Sequence, residues 1–453
     1  MNSESRHIFF LGIGGIGMSA LARYFHLEGN RITGYDREIT PLTKKLGALG
    51  IEVLHNLDED TVLDKVDLVI YTPAIKKDQI EYQYFSRRGV QMEKRSESLM
   101  KILKDRKVIA VAGTHGKTTT AALLAHILTY AGQEVTAFVG GIMSNYQSNF
   151  IHGTSEWVIV EADEYDRSFW RLFPEIAIIQ AMDADHLDIY GTHEEMVNAY
   201  RVFTSQIKDD GHLFVESRVA QKYITDSWQQ DLSGKGVGIM TFGLDSGQVM
   251  PSNLKEKDGT NHFSLDNNEI EFSLSLAGQH NVQNALAAIA VARYMNVSDR
   301  IIAEALEAFS GISRRFEYIL RSDQAVIIDD YAHHPKEIEA SIKAAREHHP
   351  NRQLTVIFQP HLYSRTRDFL SEFGMALSLA DETILVDLYP AREKPIPGID
   401  SEALLTRVKN PNKAFVPKSR LVQYLKEKNR SLILLLGAGD LYKMNKEIIA
   451  VYC

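Results

Sequence analysis

Two glycine-rich loops each lie between an apolar strand pattern and a helical pattern, and this repetition strongly constrains the fold. The first loop follows the apolar run at residues 8–13 and has the sequence GIGGIG at residues 12–17. The second follows residues 108–112 and has the sequence GTHGKTT at residues 113–119. A strand, a glycine-rich turn and a helix begin a βαβ unit, and the helix N-terminus attracts phosphate groups. We therefore expect at least two α/β domains, each with a phosphate site.

Length and composition indicate an ordinary globular protein of several domains. The 453 residues suggest about three domains, and 44% hydrophobic with 24% charged residues is a typical balance. A net charge of −9 argues against a nucleic-acid partner. The single cysteine, Cys453, excludes an intrachain disulfide and a cysteine-based metal site. The chain has neither a secretory pattern nor an apolar run of membrane length, so we expect a cytoplasmic protein without membrane insertion.

Strand and helix patterns alternate along most of the chain, which is typical of doubly wound α/β domains. We predict a Rossmann-like domain at residues 1–104, a central P-loop α/β domain at 105–312 and a C-terminal Rossmann-like domain at 313–453. Short alternating runs at residues 239–277, around Asn267 and Asn268, indicate a small antiparallel appendage of the central domain.

The first loop fits the dinucleotide-binding pattern G-x-G-x-x-G. Its glycines permit a tight turn and close backbone approach to a diphosphate, and Asp36, about 20 residues on, is placed to contact a ribose. From these residues alone NAD is the default ligand, and a turn without a ligand is the alternative. The residues that we expect to contact substrate here are Gly12, Gly14, Gly15, Ile16, Gly17 and Asp36.

The second loop resembles a P-loop, although Val111 stands where the full pattern has its first glycine. Backbone N–H groups, a lysine for the terminal phosphates and a hydroxyl for Mg²⁺ are all present. The expected nucleotide contacts are Gly113, Thr114, His115, Gly116, Lys117, Thr118 and Thr119. A dehydrogenase needs no P-loop and a simple ATPase needs no G-x-G-x-x-G, so two different phosphorylated ligands are indicated.

Charged clusters follow several later strands. EADE at residues 161–164 and DADHLD at 183–188 could hold Mg²⁺, although His186 is unusual for a metal that prefers oxygen. DDYAHHP at residues 329–335, FQPH at 358–361 and Arg365 suit an anionic substrate. Pro335 begins a helical pattern that runs to about His348, and we expect His348 and His349 at its end to interact with the helix dipole.

Nine motifs in a fixed order resemble the Mur ligases and cover nearly the whole chain: GIGGIGM, AGTHGKTTT, EADE, DADHLDIYG, GQHNVQNALAA, RRFE, DDYAHHP, FQPHLYSRT and LGAGD. The resemblance implies a UDP-sugar-binding domain, an ATP-binding domain and a C-terminal domain that closes over the site. It also reassigns the first loop from NAD to a UDP diphosphate. The implied reaction is the ATP-dependent joining of L-alanine to the lactyl carboxylate of UDP-N-acetylmuramate through an acyl phosphate, in the cytoplasmic stage of peptidoglycan synthesis.

The resemblance also implies roles for individual residues. Lys117 would contact the β- and γ-phosphates, Thr118 and Glu161 would hold one Mg²⁺, and Glu161 with His186 a second. The implied nucleotide contacts elsewhere are His280, Asn281, Asn284, Arg315 and Asp330. The residues implied to meet L-alanine and the acyl phosphate are Tyr331, His333, His361 and Arg365. We expect a monomer or a weak homo-oligomer.

Two positions depart from the family pattern. Leu362 replaces an arginine that is common after FQPH, and Tyr200 occupies the position of a carbamylated lysine in several sister ligases, so we do not expect that modification. A murein-tripeptide recycling ligase of the same family is the nearest alternative, and GIGGIGM and FQPHLYSRT argue against it. An NAD-dependent dehydrogenase would leave Lys117 without a role, and a non-catalytic UDP-sugar sensor would need no paired carboxylates.

Overall fold

The structure, a computed structural model, describes residues 5–57, 65–164, 169–183, 187–257, 259–266, 269–391 and 393–453. It divides into two compact units. The first contains residues up to 252 with 265–270 and 283–309, and the second contains 253–264, 271–282 and 310–453. None of the helices in the described ranges combines the length and the apolar character needed to cross a membrane.

The first sheet of the first unit has five parallel strands in the order β3-β2-β1-β4-β5. Its strands are β1 (His7–Leu11), β2 (Arg31–Tyr35), β3 (Glu52–Leu54), β4 (Leu68–Tyr71) and β5 (Met92–Lys94). Its helices are α1 (Ile16–Leu27), α2 (Pro41–Ala48), α3 (Ile80–Arg87) and α4 (Arg95–Leu103). All five residues of β1 are buried, as expected for a strand covered on both faces. The strand order reverses beside β1, and ligands of such sheets bind at this point.

The second sheet of this unit has seven strands in the order β12-β11-β10-β6-β9-β7-β8, of which only the pairing of β7 with β8 is antiparallel. Its strands are β6 (Lys107–Ala112), β7 (Thr136–Met143), β8 (Ser148–Ile151), β9 (Trp157–Glu161), β10 (Ile176–Ile179), β11 (His212–Glu216) and β12 (Gly238–Phe242). The accompanying helices are α5 (Lys117–Tyr130), α6 (Leu187–Tyr190), α7 (His193–Ser205), α8 (Ser217–Tyr223), α9 (Asp226–Ser233), α10 (Gln279–Tyr294) and α11 (Asp299–Ala308). Because β6 lies between β9 and β10, the loops after these three strands meet at one edge of the sheet.

The second unit contains a six-stranded sheet in the order β16-β17-β21-β18-β19-β20, with only β16 antiparallel, and a three-stranded sheet β13-β14-β15. The strands are β13 (Pro251–Lys257), β14 (Thr260–Leu265), β15 (Glu271–Leu274), β16 (Glu317–Arg321), β17 (Val326–Asp330), β18 (Leu354–Phe358), β19 (Glu382–Leu385), β20 (Lys413–Phe415) and β21 (Leu432–Leu436). The helices are α12 (Pro335–His348), α13 (Tyr363–Asp368), α14 (Leu370–Leu377), α15 (Ser401–Leu405), α16 (Lys418–Lys426) and α17 (Asn445–Tyr452).

The predicted antiparallel appendage begins later than expected. Residues 239–242 belong to β12, which pairs in parallel with β11 at the edge of the central sheet. An edge strand is half-buried and so has the same alternating pattern as a hairpin. The antiparallel pairing is confirmed for β14 and β15, whereas the predicted turn residues Asn267 and Asn268 lie outside the described residues. The three domain boundaries given above stay a prediction.

Candidate active site

The first glycine-rich loop is held by the strand beside it. The N–H groups of Gly12 and Ile13 both donate to the carbonyl of Tyr35, at 2.8 and 3.0 Å, and Gly12 has a φ of +81°. The Asp36 carboxylate accepts the N–H of Gly14 at 2.8 Å, and a Cβ at Gly14 would lie 2.7 Å from that oxygen. Asp36 thus contacts the loop itself. Its predicted contact with a ribose stays a prediction.

Helix α1 begins directly after this loop, with Gly15 as its N-cap, and no described side chain caps it. Its first N–H groups and its dipole therefore provide an anion site. The Arg95 side chain lies against Gly17, where a Cβ would be 3.1 Å from a guanidinium nitrogen. The lack of a side chain at Gly17 thus makes room for a positive charge beside the helix N-terminus.

A cavity of about 280 Å³ joins this helix end to the central sheet. Its lining includes Gly15 and Gly17 of the first loop, Arg95, and the carboxylates Glu161 and Asp163. Asn149 of β8 is fully buried and its amide donates to the carbonyl of Ile16 and to the Ser19 hydroxyl. These hydrogen bonds fix the start of α1 against the central sheet, so the two sides of the cavity are held together.

The second loop has the backbone form of a phosphate cradle. Gly113 and Gly116 have φ values of +135° and +80°, and Gly116 is the N-cap of α5. The loop packs closely against β10 and α10, because a Cβ at Gly113 would lie 2.9 Å from the N of Ala181 and one at Gly116 would overlap the Asn284 amide oxygen. Only glycine fits at these two positions.

Lys117 begins α5 and its ammonium group is buried. Nζ donates to both carboxylate oxygens of Glu164 at 2.8 Å and to the carbonyl of Gly113 at 2.7 Å. Burial alone would lower the pKa of Lys117, but the carboxylates of Glu164 and Asp163 outweigh it and raise the pKa above its usual value. Lys117 is therefore a fixed positive charge inside the loop.

The described residues of the acidic clusters fit a magnesium ion. The Thr118 hydroxyl donates to Glu161 at 3.1 Å, and Glu161 also accepts the N–H of Gly140. A hydroxyl and a carboxylate are oxygen ligands of the kind that Mg²⁺ prefers. Within the described ranges no three His, Cys, Asp or Glu side chains form a metal cluster. His186 lies outside the described residues, so its predicted metal role stays a prediction.

Other predicted nucleotide contacts lie in the second loop and on α10. The Thr114 hydroxyl accepts the N–H of Asp183 at 3.1 Å, and the His115 ring nitrogen lies 3.7 Å from the Asp183 carboxylate. Thr119 is buried in the first turn of α5. Asn284 of α10 lies against Gly116. Asn281, one turn earlier on α10, donates to the carbonyl of Ala277 at 2.7 Å, and His280 lies beside Gly278.

In the second unit, the loop after β17 and the loop after β18 bring predicted residues together. The Tyr331 and His333 rings are 5.3 Å apart, and the His333 and His361 rings are 6.2 Å apart. His361 stacks on Tyr389 at 5.7 Å, and among the described residues its Nδ1 has no hydrogen-bond partner. Burial, followed by the charges of His333 and Arg365, lowers the pKa of His361 to about 3. His361 is thus a neutral imidazole at pH 7 that can hydrogen-bond a ligand.

Two further predicted residues lie at the end of β17. The Arg315 guanidinium is 5.1 Å from the centre of the Tyr331 ring. Asp330 is buried and accepts a hydrogen bond from the Ser341 hydroxyl. Burial raises the pKa of Asp330 to about 6, although the Ser341 hydrogen bond and the charge of Arg315 oppose this. Asp330 therefore changes charge near pH 6.

The expected dipole role of His348 and His349 is wrong. Burial lowers the pKa of each to about 4, so both are neutral at pH 7 and carry no charge to place at the end of α12. His348 has 1% of its side chain exposed, and its Nδ1 is hydrogen-bonded to the Tyr318 hydroxyl at 3.1 Å. The carboxylate of Glu256 lies 3.3 Å from Nε2. Burial, followed by the charge of Arg321, lowers the pKa of His348.

Three models of one family match the chain in succession. The Mur ligase family catalytic domain matches residues 7–107, the Mur ligase middle domain 111–292 and the Mur ligase glutamate ligase domain 314–440. The chain belongs to the Mur ligase family. The predicted architecture of three α/β domains is thereby confirmed, and Mur ligases depend on ATP.

Individual relatives within the Mur ligases are similar over nearly their full length. The chain is 42% identical to a UDP-N-acetylmuramate–L-alanine ligase of Christiangramia forsetii, covering 96% of this chain and 95% of the relative. It is 43% identical to the enzyme of that name from Flavobacterium psychrophilum, covering 98% of each. The crystal structure of the UDP-N-acetylmuramate-alanine ligase of Thermotoga maritima matches with a TM-score of 0.83 at 30% identity, covering 98% of this chain and 99% of that one.

Three residues beside predicted site residues were not predicted from sequence. Arg95, Gln180 and Tyr389 each contact a predicted site residue or line the cavity. Gln180 is buried behind Gly113, and its amide donates to the Thr120 hydroxyl at 2.6 Å. Glu164 belongs to the predicted EADE cluster, and in the structure it binds Lys117. Gln180 directly follows β10, which is the position where site residues of such sheets lie. Arg95 and Tyr389 carry no local motif, because only the packing of distant segments brings them to the site.

Proposed function

We propose that this chain is an ATP-dependent ligase that joins L-alanine to the lactyl carboxylate of UDP-N-acetylmuramate, with release of ADP and phosphate. One observation carries the proposal: the diphosphate site at the start of α1 and the Glu161 carboxylate beside the P-loop line the same cavity. A substrate anchored by its diphosphate at α1 therefore extends toward the nucleotide. The names of the relatives support the choice of L-alanine and of the sugar nucleotide.

The reaction needs an activated carboxyl group, because a free carboxylate does not react with an amine. A lactyl carboxylate oxygen attacks the γ-phosphorus of ATP, the bond to the bridging oxygen breaks, and ADP leaves. The L-alanine nitrogen then attacks the carbonyl carbon of the acyl phosphate, loses a proton, and phosphate leaves. The chain contributes positioning and charge neutralisation to both steps.

Named residues supply these contributions in the proposal. The N–H groups at the start of α1, together with Arg95, bind the UDP diphosphate and fix the sugar. Lys117 and the N–H groups of residues 113–119 bind the ATP phosphates. Thr118 and Glu161 would hold Mg²⁺, which neutralises charge on the phosphate oxygens when bound. Tyr331, His333, neutral His361 and Arg365 form the face that binds L-alanine and the acyl phosphate. The enzyme would act in the cytoplasm, as a monomer or a weak homo-oligomer.

A murein-tripeptide recycling ligase is the alternative within the family. It would use the same phosphate loops and differ in the amine that it accepts. The alternative from another class, an NAD-dependent dehydrogenase, leaves the Lys117 loop and the shared cavity without a use.

The deciding experiment measures phosphate release with ATP and UDP-N-acetylmuramate, with each amino acid and the murein tripeptide offered as the amine. We expect L-alanine to support the fastest release and to appear in the product. A faster reaction with the tripeptide would assign the recycling activity instead. Binding of NAD with no turnover of the sugar nucleotide would return the chain to the dehydrogenase class.

A further inference from the structure

The ammonium group of Lys117 already has three hydrogen-bond acceptors around it. A lysine ammonium has three N–H donors. Its Nζ contacts both oxygens of Glu164 at 2.8 Å and the carbonyl of Gly113 at 2.7 Å, which uses all three. A phosphate oxygen that binds Lys117 must therefore replace one of these acceptors.

The two acceptor groups are not equally easy to give up. Glu164 has no exposed surface, and the Tyr190 hydroxyl donates to its backbone carbonyl at 2.5 Å, which holds the residue in place. Withdrawing Lys117 from Glu164 would separate a buried ion pair, which is strongly unfavourable. Gly113 presents a neutral carbonyl, whose loss costs far less. Exchange of the Gly113 carbonyl for a phosphate oxygen is therefore the easier change.

We propose that Glu164 stays bound to Lys117 when the nucleotide binds and acts as a positioning residue for it. Glu164 keeps the ammonium group aimed into the loop, and its negative charge weakens the binding of the nucleotide phosphates by the loop. ADP is thus released readily after phosphoryl transfer, at a cost in ground-state affinity. The inference rests on the proposed function only for the nature of the nucleotide.

The test is the variant Glu164→Gln, with ADP binding measured by calorimetry at pH 6.5, with and without Mg²⁺. The low pH keeps Lys117 charged, since a buried lysine without a counter-charge tends to lose its proton. We expect the Kd for ADP to fall about tenfold under both conditions, because one negative charge beside the phosphates is removed. We expect kcat to fall as well, since Lys117 is less well aimed.

The matched control is Glu156→Gln, which removes the same charge at the opposite end of β9. Glu156 is 58% exposed and pairs with Lys107, so its loss should leave the Kd for ADP and kcat unchanged. A second variant, Glu164→Asp, keeps the charge but draws it back from Lys117. It should lower kcat and leave the Kd for ADP within twofold of the parent.

The results distinguish a failure of the Glu164 inference from a failure of the proposed function. Parent-like or weaker ADP binding by Glu164→Gln would overturn the inference. If that variant does not fold, a parent-like kcat in Glu164→Asp would overturn it instead. A parent protein that binds no ADP would overturn the proposed function, whatever the variants do.

Discussion

Lys117 and Arg95 place one positive side chain beside each of the two glycine-rich loops. In the proposed reaction Lys117 binds the ATP phosphates and Arg95 binds the UDP diphosphate. Substitution of each residue should therefore weaken the binding of one ligand and leave that of the other unchanged. The Lys117→Ala variant should lose at least a thousandfold in ligation rate, because of the two glycine-rich loops only the Lys117 loop contacts the transferred phosphoryl group. Its Kd for UDP-N-acetylmuramate, measured by calorimetry, should stay within twofold of the parent. Lys107→Ala, at the other end of β6, is the control, and near-normal turnover in Lys117→Ala would refute the ATP assignment.

Arg95→Gln should show the reverse separation. It removes a charged contact to the UDP diphosphate, so the Kd for UDP-N-acetylmuramate should rise tenfold or more while that for ADP is unchanged. The Kd for UDP-N-acetylglucosamine, which lacks the lactyl group, should rise by the same factor if Arg95 contacts the diphosphate. Arg31→Gln, an exposed change at the opposite end of the same sheet, is the control. An unaltered Kd for the sugar nucleotide would remove Arg95 from the site.

Helix α12 shows what a sequence pattern can and cannot predict about an element. Its bounds at Pro335 and His348 agree with the prediction, because a proline in the first turn and the apolar spacing are local signals. The charge of its last residues could not be predicted, because it depends on burial against Tyr318 and Glu256, which are far away in sequence. The strand character of β12 was predicted, but its parallel pairing with β11 was not, because an alternating pattern does not say which neighbour a strand pairs with.

The burial of His348 predicts a pH-dependent stability of this element. Its pKa is about 4 in the folded chain and about 6.5 when unfolded, so the unfolded chain binds the extra proton first. Neutral His348 contributes roughly 1–3 kcal/mol to the free energy of unfolding above pH 6.5, and this contribution is lost as the pH falls toward 4. The melting temperature of His348→Gln should therefore fall less than that of the parent between pH 6.5 and 4.5. His26→Gln is the control, and equal falls in all three proteins would contradict the account.

In the proposed reaction, phosphate binding and amine selection belong to different units of the molecule. The two phosphate loops lie in the first unit, and Tyr331, His333 and His361 lie in the second. Most of the phosphate sites could be predicted from sequence because each loop is contiguous. The amine face could be proposed only through the family resemblance, because it is assembled from separate loops and includes Tyr389, which no motif marks.

The proposed amine face predicts which amino acids the enzyme accepts. L-alanine should be preferred over glycine by about 1 kcal/mol, roughly fivefold in kcat/KM, because one methyl group enters an apolar pocket. Larger amino acids should be worse than glycine, because the pocket wall excludes them. His361→Ala should raise the KM for L-alanine in a phosphate-release assay while the KM for ATP changes less than twofold. An effect confined to ATP would place His361 elsewhere in the mechanism.

The buried amide of Asn149 bears on how freely this chain can be recombined with its relatives. It reaches from β8 to the carbonyl of Ile16 and to the Ser19 hydroxyl, and the Tyr24 ring packs against Phe138 and Phe150 nearby. The first hundred residues are therefore not an interchangeable cassette. A chimaera that takes its sugar-nucleotide domain from a relative must therefore also take strands β7 and β8 from that relative. Otherwise the hydrogen bonds of Asn149 to α1 are lost, and with them the fixed distance between the two phosphate loops.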